Sequence, residues 1–353
     1  MTRRRFNQIL FLLGLSLLVY LLRRVGWDAL AHDFRLMGWA LVLILVLSGI
    51  KYAISAFAWA AAFFPEERQS WRTLFGSRLA GESMNYLSIA GPLLSEPIKA
   101  SMLHGVRFAS ALASTLLETT MNAIAAGLVT VAGLAMLVLY AQAFALRSIG
   151  YVFILILLAL AGSFLYALKY RVPFLTWPWK RLRHISWFSS PKLGEHLAVI
   201  QERMHRLRAE RPGALWLIFL LSLVSQGLGL LEIYAVVIPL GIRPGFSNVL
   251  MMEAFTKLVK ALFFFVPARI GADEGSSAGI FALLGLSPAT GVTLALARRA
   301  RTLVWSAVGL AFLLAHSVKA VPQRSEVEAW SSSAGPGFAL QARGGAAART
   351  GRV

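Results

Sequence analysis

The sequence predicts an all-α polytopic membrane protein with about six spanning helices, two re-entrant broken-helix hairpins and an inverted-topology repeat. Three observations carry this. Of the 353 residues, 58% are apolar and 14% charged, with a mean hydropathy of +0.67. Soluble domains run nearer about 45–50% apolar and about 25% charged, so a soluble enzyme and a disordered chain are both excluded. Six stretches approach the roughly 20 apolar residues that cross about 30 Å of hydrocarbon. Two more segments are apolar in parts but broken by Pro and Gly.

The first stretch, Phe6–Leu22, follows Arg3-Arg4-Arg5. It looks like a signal sequence, but Arg23-Arg24 follow it with no small-residue cleavage site, so a retained anchor is expected. The others are Trp39–Phe64, Phe108–Leu139, Ile149–Leu168, Ala214–Leu240 and Pro288–Ser317. Between the fourth and fifth, Lys169–Pro212 holds ten Lys/Arg and three Glu. Cytoplasmic loops collect Lys and Arg, which places this loop (169–212) and both termini in the cytoplasm. Arg23 and Arg24 oppose that assignment. Residues 1–320 form one membrane domain, and 321–353, rich in Ala, Gly, Ser and Arg, read as a disordered tail.

The net charge of +19, from 35 Lys/Arg against 16 Asp/Glu, suits the anionic inner leaflet as well as a nucleic acid. Beside a membrane bundle we expect lipid contact and no nucleic-acid partner. The chain has no cysteine, which excludes disulfides, zinc–cysteine sites and thiol catalysis. Its six histidines lack metal-ligand spacing, so neither metal nor cofactor is expected.

The interrupted segments are Gly76–Gly105, broken at Gly91, Pro92 and Pro97, and Asn248–Gly285, broken at Pro267 and Gly271. Their halves are too short to span and suit re-entrant hairpins. Broken backbone at membrane depth survives where protein buries it or where it lines an aqueous cavity. Residues 103–120 align with 283–300, placing Gly105 on Gly285 and Glu118 on Arg298. Chance likeness between small-residue helices is the competing explanation. If the repeat is real, three spans separate the hairpins, which then open to opposite sides. Paired discontinuous helices are a pointer to a transporter site.

Ionisable side chains in spans face the bundle interior or a cavity. Here they include Lys51, Glu118 with Asn122 one turn on, Gln226, Glu232, and Glu253 with Lys257 and Lys260. Arg298, Arg299 and Arg301 lie in the last span. Glu82, Asn85, Glu96 and Lys99 flank the first break, and Arg269, Asp273 and Glu274 flank the second. Ion pairs that fix packing, such as Glu253–Lys257, compete with a head-group site as the explanation. In the long loop, Leu193, Leu197, Ile200, Met204 and Leu207 form a stripe beside basic residues. This amphipathic helix lies on the inner leaflet or on the protein's own face. Trp177, Trp179 and Trp187 nearby suit a membrane interface.

The segment NYLSIAGPLLSEPIKASML (85–103) resembles the Asn…Pro…Gly-Glu motif of the transmembrane region of lysylphosphatidylglycerol synthases. FVPARIGADEGSSAGIFALLGLSPATGVTLALARR (265–299) resembles its second motif. The likeness covers roughly 36–318. It implies a flippase-like module that moves aminoacylated or otherwise modified lipids between leaflets, as a partner of a separate lipid-modifying enzyme. By position it carries over Asn85, Pro92, Glu96, Pro267, Gly271, Glu274 and Arg298. Ser95 replaces the usual Gly before Glu96, and Asp273 doubles the second acid. About 35 residues follow the last span, too few for the synthases' soluble transferase domain, so no enzymatic activity is expected.

The expected head-group residues are Asn85, Glu96, Lys99, Glu118, Asn122, Lys257, Arg269, Asp273, Glu274 and Arg298, in a bacterial inner membrane. Two other readings are a membrane-embedded transferase using Glu96, Asp273 or Glu274, and a scaffold for a lipid-modifying enzyme.

Overall fold

The computed structural model describes residues 23, 27–87, 91–140, 144–170, 191–263 and 269–319. The expected anchor Phe6–Leu22, the tail 321–353, Pro267 and the three loop tryptophans lie outside them. Among the described residues all regular structure is helical. In chain order the α-helices are α1 (Trp27–Met37), α2 (Ala40–Ala61), α3 (Trp71–Leu87), α4 (Gly91–Ser101), α5 (Phe108–Tyr140) and α6 (Phe144–Lys169). They continue as α7 (Pro191–Glu210), α8 (Pro212–Val237), α9 (Phe246–Leu262), α10 (Ala272–Leu283) and α11 (Pro288–Lys319). Pro191, Pro212 and Pro288 each open a helix. Pro costs little there, because the first N–H groups have no intrahelical partner.

Among the described residues, three helices are long and apolar enough to cross a membrane: α2, α5 and α8. Helix α6 carries the shorter apolar stretch Gly150–Ser163. Helix α11 has 32 residues but is interrupted by Arg298, Arg299 and Arg301. Both interrupted segments are helix pairs. Helix α3 has 17 residues and α4 has 11, about 25 Å and about 16 Å of helix. Helices α9 and α10 have 17 and 12. Gly91 and Pro92 begin α4, as a break requires, whereas Pro97, expected at a break, lies inside α4. Pro97 has no N–H to offer the preceding turn, so that turn lacks one bond while the helix continues.

Two buried apolar clusters mark the ends of the bundle. One gathers Trp59, Phe63 and Phe64 from the end of α2, Leu74 near the start of α3, and Ala100 and Leu103 at and just past the end of α4. It adds Ala111–Met121 positions of α5, Ile218 of α8, and Ile200, Met204 and Leu207 of α7. The other gathers Met37, Ala40 and Ile44 before and along the start of α2, Ile233–Val237 positions of α8, Val249–Met252 positions of α9, Ile280 and Phe281 of α10, and Leu294 of α11. Helices α2 and α8 thus run between the clusters in opposite senses. The α3–α4 pair begins and ends in the first cluster, and the α9–α10 pair in the second.

The two halves exchange partners. Helices α3 and α9 have equal length and begin 175 positions apart, at 71 and 246. Helix α3 packs most heavily on α11, and α9 on α5. Each contact needs a glycine on the long helix. A Cβ at Gly309 would come within 3.0 Å of the Leu79 carbonyl, and one at Gly133 within 3.0 Å of the Leu250 carbonyl. In lipid, close approach of this kind drives helix association, because apolar exclusion adds little.

The loop helix α7 packs on the protein itself. Ile200, Met204 and Leu207 are buried in the first cluster. Arg203 pairs with Glu67, Arg211 donates to the Phe63 carbonyl at 2.5 Å, and the Arg206 guanidinium lies 4.7 Å from the Phe64 ring centroid.

Candidate functional site

Most of the charged residues of the spans gather between the two apolar clusters. In the first half, Arg78 on α3 donates to Glu118 on α5 at 2.7 Å, both buried. Lys99 on α4 is 3% exposed and reaches Glu96 at 2.8 Å and Glu82 at 3.7 Å. Asn85, one turn beyond Glu82, hydrogen-bonds to it. Asn122 accepts from Gln226 of α8 at 2.9 Å. Glu118, one turn earlier on α5, pairs with Arg78 instead.

In the second half the polarity is reversed. Glu253 on α9 accepts from Arg298 on α11 at 2.8 Å, and Arg298 also donates to the Gly229 carbonyl at 3.0 Å. Lys257 lies 3.2 Å from Glu253, the pair expected from i, i+4 spacing. Glu232 of α8, 1% exposed, gathers Lys51 at 3.6 Å, Arg298 at 3.8 Å and Arg301. Glu232 thus ties α2, α8 and α11 together.

The doubled acid at the second break divides two tasks. Gly271, at φ +79°, is the N-cap of α10 and donates its N–H to Glu274 at 2.9 Å, the one arm of a capping box that a glycine N-cap can make. Glu274 is fully buried and also takes Arg299 at 2.6 Å. Both carboxylate oxygens are therefore engaged within the protein. Asp273 lies 3.7 Å from Arg269 and is partly exposed. Arg269 has φ +48°, a left-handed conformation uncommon outside glycine and often found at functional sites.

A cavity of about 40 Å³ opens here, with room for roughly three waters. Arg269, Asp273 and Arg298 from the expected set line it, joined by Lys260, Arg299 and Arg301. Tyr86, at the tip of α3, lines it too, so the tips of both hairpins meet at one place. Asn85, Glu96, Lys99, Glu118, Asn122, Lys257 and Glu274 lie outside the lining. Glu118, Glu274 and Arg298 do not contact one another. They bind Arg78, Arg299 and Glu253 respectively. Sequence reasoning missed Arg78 and Tyr86. A cation in the small, apolar run GSRLAG, four residues before Glu82, was the available signal for Arg78.

The described residues contain no group of three or more His, Asp or Glu able to hold a metal ion. The sequence model for the family described as lysylphosphatidylglycerol synthase TM region matches residues 7–309. The chain belongs to that family. The match takes in both hairpins, the polar layer and every expected site residue. It also establishes an integral membrane protein with a lipid-related role. No curated protein and no solved structure matches the chain.

Proposed function

We propose that this member of the lysylphosphatidylglycerol synthase TM region family moves a lipid between leaflets. Its cargo is a modified phospholipid, a glycolipid or a polyprenyl-linked lipid. The observation that carries the proposal is the meeting of the two hairpin tips at a charged cavity, while their open ends lie in apolar clusters at opposite ends of the bundle. We read the hairpins as re-entrant and the halves as an inverted-topology repeat. A head group held at their junction is then reachable from either side, with acyl chains left in lipid.

In this reading the chain is a transporter and not an enzyme. It sits in a bacterial inner membrane with both termini cytoplasmic, and takes its cargo from a separate lipid-modifying enzyme. Arg269, Asp273 and Arg298 meet the head group, while Glu274 and Glu118 hold the hairpins. Cytoplasmic placement of α7 is supported by the basic loop that contains it.

The test is reconstitution of the full chain in liposomes with labelled lipid analogues. Head-group-dependent transbilayer movement above that of empty vesicles is expected. No movement across a broad lipid panel would overturn the proposal.

A further inference from the structure

The charge lining the cavity does not balance. Lys260, Arg269, Arg298, Arg299 and Arg301 face Asp273 alone. Behind this lining, Lys51 and Lys257 add two cations, and Glu232, Glu253 and Glu274 supply three carboxylates. Seven cations against four acids leave three positive charges in the second half. The first half has two cations, Arg78 and Lys99, and three acids, Glu82, Glu96 and Glu118. It returns one negative charge, so the polar layer holds a surplus of two. Residues 88–90 and 264–268 add no charge to it.

Uncompensated charge in a low-dielectric interior is costly even after relaxation. The surplus has an address. Among the described residues, Lys260 has no carboxylate within ion-pair distance, and Arg269 reaches only Asp273, at 3.7 Å. Both line the cavity.

We infer that the cavity binds a terminal phosphomonoester, the head group of a lipid monophosphate. Such a group carries about −1.5 to −2 charge at pH 7 and three strong acceptor oxygens. That charge cancels the surplus of two, whereas a phosphodiester head group with a single charge leaves half of it. The cavity also suits one phosphoryl group in size, not a sugar or an acyl chain. Arg269 provides a planar fork that meets two phosphate oxygens, and Lys260 a point charge. This inference rests on the reading of the cavity as a lipid head-group site.

The test compares short-chain phosphatidic acid with short-chain phosphatidylglycerol by thermal stabilisation of the purified full chain at pH 7.5. Phosphatidic acid is expected to give equal stabilisation at least tenfold lower concentration. Lys260→Gln and Arg269→Gln should each erase that preference. Arg206→Gln on α7 should keep it. Lys260 has no ion-pair partner to orphan, so its variant remains foldable, as a monodisperse size-exclusion peak will show. Equal response to the two lipids, or a preference retained in Lys260→Gln, would overturn the inference. Equal stabilisation by inorganic phosphate would assign the site to the free ion and overturn the lipid assignment. Failure here is separable from failure of transport. Phosphatidic acid bound selectively but never moved refutes the transporter and leaves the site. Movement of phosphatidylglycerol with no monoester preference does the reverse.

Discussion

Arg78 and Glu118 join the first hairpin to the long helix that follows it, and Glu253 and Arg298 do the same in the second half with the charges exchanged. The hairpin arm carries the cation in one half and the acid in the other. Each pair is buried and spans two helices, so each fixes how a hairpin sits against its neighbour. The sequence alignment of Glu118 on Arg298 places opposite charges at equivalent positions, and the structure gives a reason: each takes the partner its own half provides.

Loss of one partner should therefore cost more than loss of both. Glu118→Ala leaves Arg78 buried without its hydrogen-bonded carboxylate, and is expected to destabilise by about 3–5 kcal/mol. Arg78→Leu with Glu118→Leu should recover most of that. Thermal unfolding in detergent, followed by size exclusion, reads the order of the three proteins.

The close approach of the halves depends on small residues. Gly309→Leu should push α11 off the Leu79 carbonyl, and Gly133→Leu should push α5 off the Leu250 carbonyl. Overpacking of this kind costs about 1–3 kcal/mol, occasionally more. A lowered melting temperature in both variants, with Gly162→Leu on the open face of α6 unchanged, would agree. An unchanged Gly309→Leu would contradict the packing.

Glu274 and Asp273 should separate in experiment. Glu274→Gln keeps the shape but loses the charge on Arg299 and weakens the cap, removing about 1.5–3 kcal/mol. Asp273→Asn leaves the cap intact but removes the one carboxylate that lines the cavity, so it should destabilise the protein through the enlarged positive surplus and not through the helix start. If the scaffold reading were right, both variants would fold and keep full cellular function.

Helix α7 is held by apolar contact. Met204→Asp would place a carboxylate in the first cluster and release the helix, since burying an unpaired charge is unfavourable by several kcal/mol. Rapid cleavage within 191–210 by trypsin added to inside-out vesicles is the expected sign. Protection equal to the parent would refute the docked arrangement.

Much of the architecture was readable from pattern. The apolar runs at 39–64, 108–139 and 214–240 became α2, α5 and α8 within a few residues, because length and composition suffice there. Gly271 and Pro92 marked helix starts for the reasons given by backbone chemistry. Pro97 did not, because a lost hydrogen bond is tolerated where neighbouring packing holds the turn. Glu253–Lys257 was legible because both residues lie on one helix. Arg78–Glu118 and Arg299–Glu274 were not, since no local rule pairs residues 40 or 25 positions apart. The stripe of α7 looks the same whether lipid or protein covers it, so only the docked Phe64 and Arg203 contacts decide between them.

The glycine-mediated exchange between halves bears on how the chain is made. Helix α3 finds its main packing surface only when Gly309 has been synthesised, more than two hundred residues after Leu79. Until then the first hairpin lacks its main packing surface, although its charged residues already have Glu118, Glu96 and Glu82 as partners. Biogenesis of this protein therefore has a long interval in which an insertase or chaperone has something to shield, and neither half, expressed alone, contains the surface on which the first arm of its own hairpin packs most heavily.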